Sequence, residues 1–177
     1  NSSKSSVVYS DYNKAVFLDA SQTNPYRLWG APSWEYDHDQ LLVMNYLPIH
    51  TYLQLRESIN QHGSWNVTMD RLEDYEYLLR LNEDGNFVHI PIVTCEYRLY
   101  LDTLNTVLQG KKEYLFFLEK VYAAYPTNSQ KIIKGRIEAL DVFRSQETRI
   151  QELLTIAENS SIEPKAVRWE ILRILEE

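Results

Sequence analysis

The chain has 177 residues, with 18 basic against 25 acidic side chains for a formal net charge of −7, and 44% of it is hydrophobic and 12% aromatic. That length fits one or two domains with enough apolar material for a core, and an acidic balance without a basic run argues against a nucleic-acid partner held by phosphate neutralisation. No apolar stretch approaches the ~18 residues that span a bilayer, Asn1 to Ser6 carry no signal-like apolar core, and the lone Cys95 cannot form an intrachain disulfide, which together point to a reducing compartment.

Val7 to Tyr12 reads as a strand, and Asn24 to Pro32, with two prolines, Gly30 and Trp29, as an irregular loop. Asp37-His38-Asp39 is the one tight cluster of metal-type ligands, but adjacent side chains on an extended or turn segment diverge, so a solvated polar turn is expected and no metal site is assigned. Asp39 to Met44 suits a short helix that leads into Asn45-Tyr46-Leu47-Pro48-Ile49-His50, and Leu53 to Ile59 reads as another helical stretch. Asp70-x-x-Glu73 has the form of a capping box, and Leu72, Tyr75 and Leu79 recur at helical spacing after it. The spacing predicts a helix through Asn82, with Gly85 as a left-handed terminator, followed by a β-like run from Phe87.

Near Asp102 mixed signals give way to helical periodicity. A segment of about Lys111 to Tyr125 is stopped by Pro126. A second helix, capped by Asn128 or Ser129, runs some thirty residues, roughly 45 Å if unbroken. Its apolar stripe is Ile133, Ile137, Leu140, Ile150, Leu153, Leu154 and Ala157. Gly135 weakens it by about 1 kcal/mol relative to Ala unless a neighbour packs closely there. Asn159-Ser160-Ser161 ends it, and Pro164 opens a third helix with Val167, Ile171, Leu172, Ile174 and Leu175 as an apolar face. The expected organisation is residues 1–102 as the chemical portion and 103–177 as an extension of about three helices.

Glu73 and Asp74 fall in the first helical turn, where the positive end of the helix dipole favours ionised carboxylates. One reading is capping; the other is a general base. Trp29, Trp34 and Trp65 could stack on a pyranose or simply pack. His50, His62 and His89 have no fixed partner in the sequence, and Cys95, after an apolar run, reads as a small buried hydrophobe. Asn66-Val67-Thr68 and Asn159-Ser160-Ser161 fit the glycosylation pattern, but no secretion signal accompanies them.

The run Glu73-Asp74-Tyr75-Glu76-Tyr77-Leu78-Leu79-Arg80-Leu81, then Gly85, Phe87-Val88-His89-Ile90-Pro91 and Tyr97-Arg98, resembles the C-terminal part of inverting, nucleotide-sugar-dependent glycosyltransferases of family two, as do Val7-Val8-Tyr9-Ser10-Asp11 and Asn45-Tyr46-Leu47-Pro48-Ile49. The resemblance covers about residues 7 to 98. It implies an α/β chain whose first part is a partial A-type glycosyltransferase (GT-A-like) domain, followed by the helical extension. It further implies Asp74 as catalytic base, supported by Glu73, with Asp11, Asn45, Trp65, Arg80 and Arg98 as substrate-binding candidates. Arg80 and Arg98 also suit a structural role, fixing carboxylates.

No nucleotide-binding half and no D-x-D precede Val7, so the chain reads as a piece of a larger enzyme, and a divalent metal (Mn or Mg) would have its ligands mostly outside it. The expected partners are a nucleotide sugar and a glycan or lipid-linked acceptor, in polysaccharide or cell-envelope synthesis, in the cytoplasm or at the inner face of the membrane. The competing expectation is a non-catalytic binding or assembly module that forms a homo-oligomer through its helical tail.

Overall fold

The computed structural model describes residues 7–100, 104–159 and 164–176. Asn1 to Ser6, Asp102, Ser160, Ser161 and the side chain of Leu175, on which parts of the sequence reading rest, lie outside the described residues.

The chain is a mixed helix-and-sheet protein built around one long strand, β1 (Val7–Phe17). One edge of β1 carries β4 (Phe87–Tyr100), parallel to it from Val7↔Phe87 to Phe17↔Tyr100. Two short antiparallel strands share the other edge: β3 (Tyr52–Gln54) opposite Val7 to Tyr9, and β2 (Arg27–Gly30) opposite Asn13 to Val16. β4 spans 14 residues against 11 in β1, and the surplus three are absorbed as register breaks opposite Ser10 to Tyr12. Pro91, which cannot donate to a ladder, sits in the first break.

Two expectations about this region are corrected. The loop of Asn24 to Pro32 contains β2, whose pairing is extended by Tyr26 N–H to Val16 O (2.7 Å) and Ala31 N–H to Tyr12 O (3.0 Å). A four-residue edge strand takes its structure from its neighbour rather than from its own pattern. The helical reading of Leu53 to Ile59 divides into β3 and then α2 (Arg56–His62), because Leu55 is extended, with φ −69° and ψ 141°. Before them, α1 (His38–Leu41) is shorter than expected, and Ile49–Thr51 form a single 3-10 turn.

Helix α3 (Glu73–Asn82) roofs the first half of the sheet. It does not begin at a capping box. Its N-cap is Leu72, in the left-handed region at φ 59°, ψ 21°, with no side-chain cap, and Asp70 lies outside the helix. That conformation costs about 1–2 kcal/mol for a residue with a Cβ. Burial of the Leu72 side chain, 8% exposed, offsets it with a contribution of about 2 kcal/mol. Tyr75, Tyr77, Leu78, Leu79 and Leu81, all at 1% exposure or below, press onto Val7, Tyr9, Leu41 and Leu47. The expected terminator is present: Gly85 has φ 63° and donates to Asn82 O at 3.1 Å.

Helices α4 (Leu104–Ala124), α5 (Gln130–Glu158) and α6 (Pro164–Glu176) pack on this core. Phe117, Leu118 and Val121 of α4 join the cluster around Tyr75 and Leu79, while Ile150 of α5 and Val167, Ile171, Leu172 and Ile174 of α6 meet Val16, Trp29 and Leu99 at the far end of the sheet. α5 is continuous through Gly135, where a Cβ would come within 3.0 Å of Val43 Cγ2: the close neighbour that a helical glycine needs is Val43. The predicted α5 stripe is rotated at its start. Ile132 and Arg136 are buried and Ile137 is 54% exposed, because the Arg136 guanidinium donates to Leu42 O (2.9 Å), to Tyr122 O in the last turn of α4 (3.3 Å) and to Tyr125 O just beyond it (2.7 Å). Among the described residues no helix is long and apolar enough to cross a membrane.

Candidate active site

The loop from Asn45 to His50, the middle of β1, the end of β4 and the first turn of α3 meet around a pocket of about 440 Å³, lined by Tyr12, Lys14, Asn45, Pro48, Ile49, His50, Asp74 and Tyr97. Tyr12 and Lys14 are two apart on β1 and so share a face, and Lys14 pairs with Tyr97 across the parallel ladder. His50 stands against Tyr97 with ring centroids 5.4 Å apart and near-parallel planes, and meets the edge of Tyr12 at 5.5 Å. Three rings thus form an aromatic wall in a lining that also holds the Asp74 carboxylate. Burial pushes the His50 pKa down, which keeps the imidazole neutral near pH 7.

The position of Asp74 follows from Leu72. Helix α3 starts two residues later than a capping box at Asp70 would place it, so Asp74 is the second helical residue, and its Oδ1 accepts the otherwise unpaired N–H of Tyr75 at 2.8 Å. Burial raises the proton affinity of Asp74, the Tyr75 N–H opposes this, and the Glu73 carboxylate adds to it; the net pKa lies above the ordinary aspartate value. The expectation that the helix dipole dominates is therefore reversed, since desolvation outweighs it. A raised carboxylate is a stronger proton acceptor than a free one, which suits base catalysis near neutrality.

The structure brings Asn45 to this pocket beside Asp74, with the Asn45 Oδ1 accepting from Leu47 N–H at 3.2 Å and thereby fixing the loop. Glu73, next to Asp74, acts on it electrostatically. The other four candidates lie away from the lining. Asp11 is bonded to His89 Nε2 (2.8 Å) and Ser33 Oγ (3.0 Å) and lines only a crevice of about 10 Å³. Trp65 packs on Tyr77, ring centroids 5.4 Å apart. Arg80 pairs with Glu76 at 2.9 Å, and its guanidinium donates to the His62 carbonyl and to Ser64 O at 2.8 Å, lashing that loop to α3. Arg98 pairs with Glu96 at 3.1 Å and lies over the Phe17 ring.

Sequence reasoning did not assign Tyr12, Lys14, His50 or Tyr97 to the site. Their signal is weak because they come from three separate segments that only the strand pairing unites. Of the remaining sequence features, Asp37 caps α1 by accepting from Gln40 N–H at 2.9 Å, so the Asp37-His38-Asp39 cluster is a helix start. Trp29 packs in the α6 cluster, and Trp34 leans on Tyr46 at 6.0 Å. Cys95 is half-buried rather than buried, with its thiol 3.5 Å from His50 O. A larger depression of about 660 Å³ is lined by Glu147, Thr148, Gln151, Glu152, Thr155 and Ile156, all from the one helix α5.

Among the described residues no three His, Cys, Asp or Glu side chains gather as a metal holder, and the Asp11 carboxylate is already taken by His89 and Ser33. The residues present therefore do not form a seat for Mn or Mg. No family model matches this chain, and no curated protein matches it.

Proposed function

We propose that the chain is the acceptor-side part of an inverting glycosyltransferase of A-type fold, with Asp74 as general base. The observation that carries the reading is a carboxylate of raised proton affinity opening onto a pocket with a wall of Tyr12, His50 and Tyr97. In support, sugars present an apolar ring face that stacks on aromatic side chains and polar edges that take hydrogen bonds, and the Asn45 amide supplies the latter.

In the proposed reaction an acceptor hydroxyl enters within hydrogen-bond reach of Asp74. Asp74 takes its proton as the oxygen attacks the anomeric carbon of a nucleotide sugar. The bond from that carbon to the diphosphate breaks, the nucleoside diphosphate leaves with the bonding pair, and the anomeric configuration inverts. His50, its imidazole kept neutral by burial, stacks on Tyr97 in the lining, and Lys14 supplies an amino group there. The reading concerns the acceptor side alone: Asp74 takes the proton, and the leaving nucleoside diphosphate carries away the bonding pair.

The test is Asp74→Asn in the full-length protein, assayed by nucleoside diphosphate release from a panel of UDP-, GDP- and dTDP-sugars in the presence of oligosaccharide acceptors. Loss of base catalysis should cost about 10²–10⁴-fold in turnover with an unchanged thermal transition. In the wild type, the acid limb of kcat/KM should lie above the ordinary aspartate range. Near-normal turnover of the variant sinks the reading.

A further inference from the structure

Lys14 has no counter-ion in the sheet that carries it. It is half-buried in β1, in one row across three strands between Tyr97 of β4 and Trp29 of β2. Because side chains alternate along a strand, the residues that share its face lie two positions from these: Tyr12 and Val16 on β1, Cys95 and Leu99 on β4, and Arg27 on β2. None is acidic. Glu96, the one carboxylate of β4, belongs to the opposite face and pairs with Arg98 at 3.1 Å. Among the described residues the Lys14 amino group forms no ion pair and no hydrogen bond, with Asp74 or with any other side chain. Stability does not account for a lysine here, since Thr or Val would suit a central strand between two aromatic rings better. Lys14 is also the only Lys or Arg among the described residues that line the pocket of Tyr12, His50 and Tyr97.

We propose that the acceptor is an acidic glycan, with a uronic acid residue whose ring stacks on the wall of Tyr12, His50 and Tyr97 and whose carboxylate pairs with Lys14. The substrate class rests on the reading of this pocket as an acceptor site, whereas the anion seat itself rests on the strand register. One amino group balances one carboxylate. A phosphate or diphosphate is better held by several donors or by the paired nitrogens of Arg, and the described lining has no Arg. Asp74 then sets the orientation of the sugar. Like charges repel, so the acid group turns from Asp74 toward Lys14, and a hydroxyl of the ring is left to face the base.

The experiment is isothermal titration calorimetry on the full-length protein, which needs no turnover. The probes are trisaccharides of glucuronic acid and of galacturonic acid, each set against its carboxyl-reduced counterpart, with UDP alongside. At least one acid should bind about 5-fold or more tighter than its reduced counterpart. Lys14→Gln should erase that preference and leave the affinity for the reduced sugar unchanged, while Lys14→Arg, which keeps the charge, should keep the preference. Equal binding of acid and reduced forms, no measurable binding of either acid, or a preference that survives Lys14→Gln overturns the proposal. Weaker UDP binding in Lys14→Gln beside an unchanged response to the acids assigns the amino group to the leaving diphosphate and overturns it equally. If Lys14→Gln fails to fold, Lys14→Thr, of better strand propensity, is read in its place. Lost turnover in Asp74→Asn with equal binding of the two forms would remove the acidic acceptor and leave the base reading. Normal turnover in Asp74→Asn with a preference that depends on Lys14 would remove the base reading and leave the anion seat.

Discussion

His89 shows how one side chain can tie distant segments together. It is 2% exposed, stacks on Tyr9 at 4.8 Å, and holds Asp11 at 2.8 Å and Glu35 at 3.0 Å. Burial lowers its proton affinity, but the hydrogen bonds and charges of Glu35 and Asp11 outweigh that, so its pKa is raised above the ordinary value of about 6.5. A raised folded pKa means stability that is complete below pH 6.5 and lost as pH rises through the folded value. The free energy by which wild type exceeds His89→Gln in urea unfolding should therefore be greatest near pH 5 and smaller at pH 8. An equal difference at both ends would show that the imidazolium contributes nothing. At this scale the sequence was informative about the position of Asp74 in the first turn of α3, which is a local matter. It was silent on His50 and Tyr97, because ring stacking between a loop and a strand 45 or more residues away in sequence leaves no periodic mark.

Among the elements, α5 shows that a helix can be legible in extent and misread in orientation. Its extent, Gln130–Glu158, follows from the run of helix formers, whereas its buried stripe is displaced because Arg136 spends its donors on the carbonyls that end α4. A guanidinium that caps a neighbouring helix is buried for reasons hydrophobic patterning does not encode. Gly135 offers the sharpest test. In a free helix, Ala would be favoured over Gly by about 1 kcal/mol. Here the added methyl meets Val43 Cγ2 at 3.0 Å and Cγ1 at 3.1 Å, and a β-branched side chain cannot easily turn away. Gly135→Ala should destabilise the protein by about 1 kcal/mol in urea, through overpacking, and the same change in a Val43→Ala background should stabilise it. A stabilising effect in both backgrounds would mean the contact is loose. The start of α3 was misjudged for a related reason: Asp70-x-x-Glu73 has the local form of a capping box, but burial of Leu72 decides where the chain enters the helix.

For the whole molecule, the helices after residue 103 are part of the enclosure of the sheet. Phe117, Leu118 and Val121 cover Tyr75 and Leu79, Tyr122 Oη donates to Val43 O at 2.6 Å, and Trp169 of α6 packs on Tyr26 with ring centroids 4.8 Å apart. Residues 1–102 alone would expose several large side chains that are now at 2% or less, each worth about 1.5–3 kcal/mol in burial, against a total stability of only about 5–15 kcal/mol. That fragment should lack a cooperative thermal transition by circular dichroism, where the full chain has one. A sharp transition in the fragment would show that the helical extension is dispensable for folding. The mixed α/β character was legible from the change in periodicity near Asp102. The manner of packing was not, since amphipathic faces declare that they need a cover without naming it.

The three surplus residues of β4 also bear on how the chain tolerates change in length. Because side chains alternate along a strand, losing one residue between Pro91 and Thr94 would bring Arg98 to the place opposite Lys14 now held by Tyr97. A guanidinium would then stand in the aromatic wall of the pocket that Asp74 also lines, and the neighbouring positions along β4 would exchange inside for outside. The bulged segment is therefore a spacer of fixed count. Its individual residues, mostly exposed, are free to vary, while insertion or deletion there would be far more damaging than substitution.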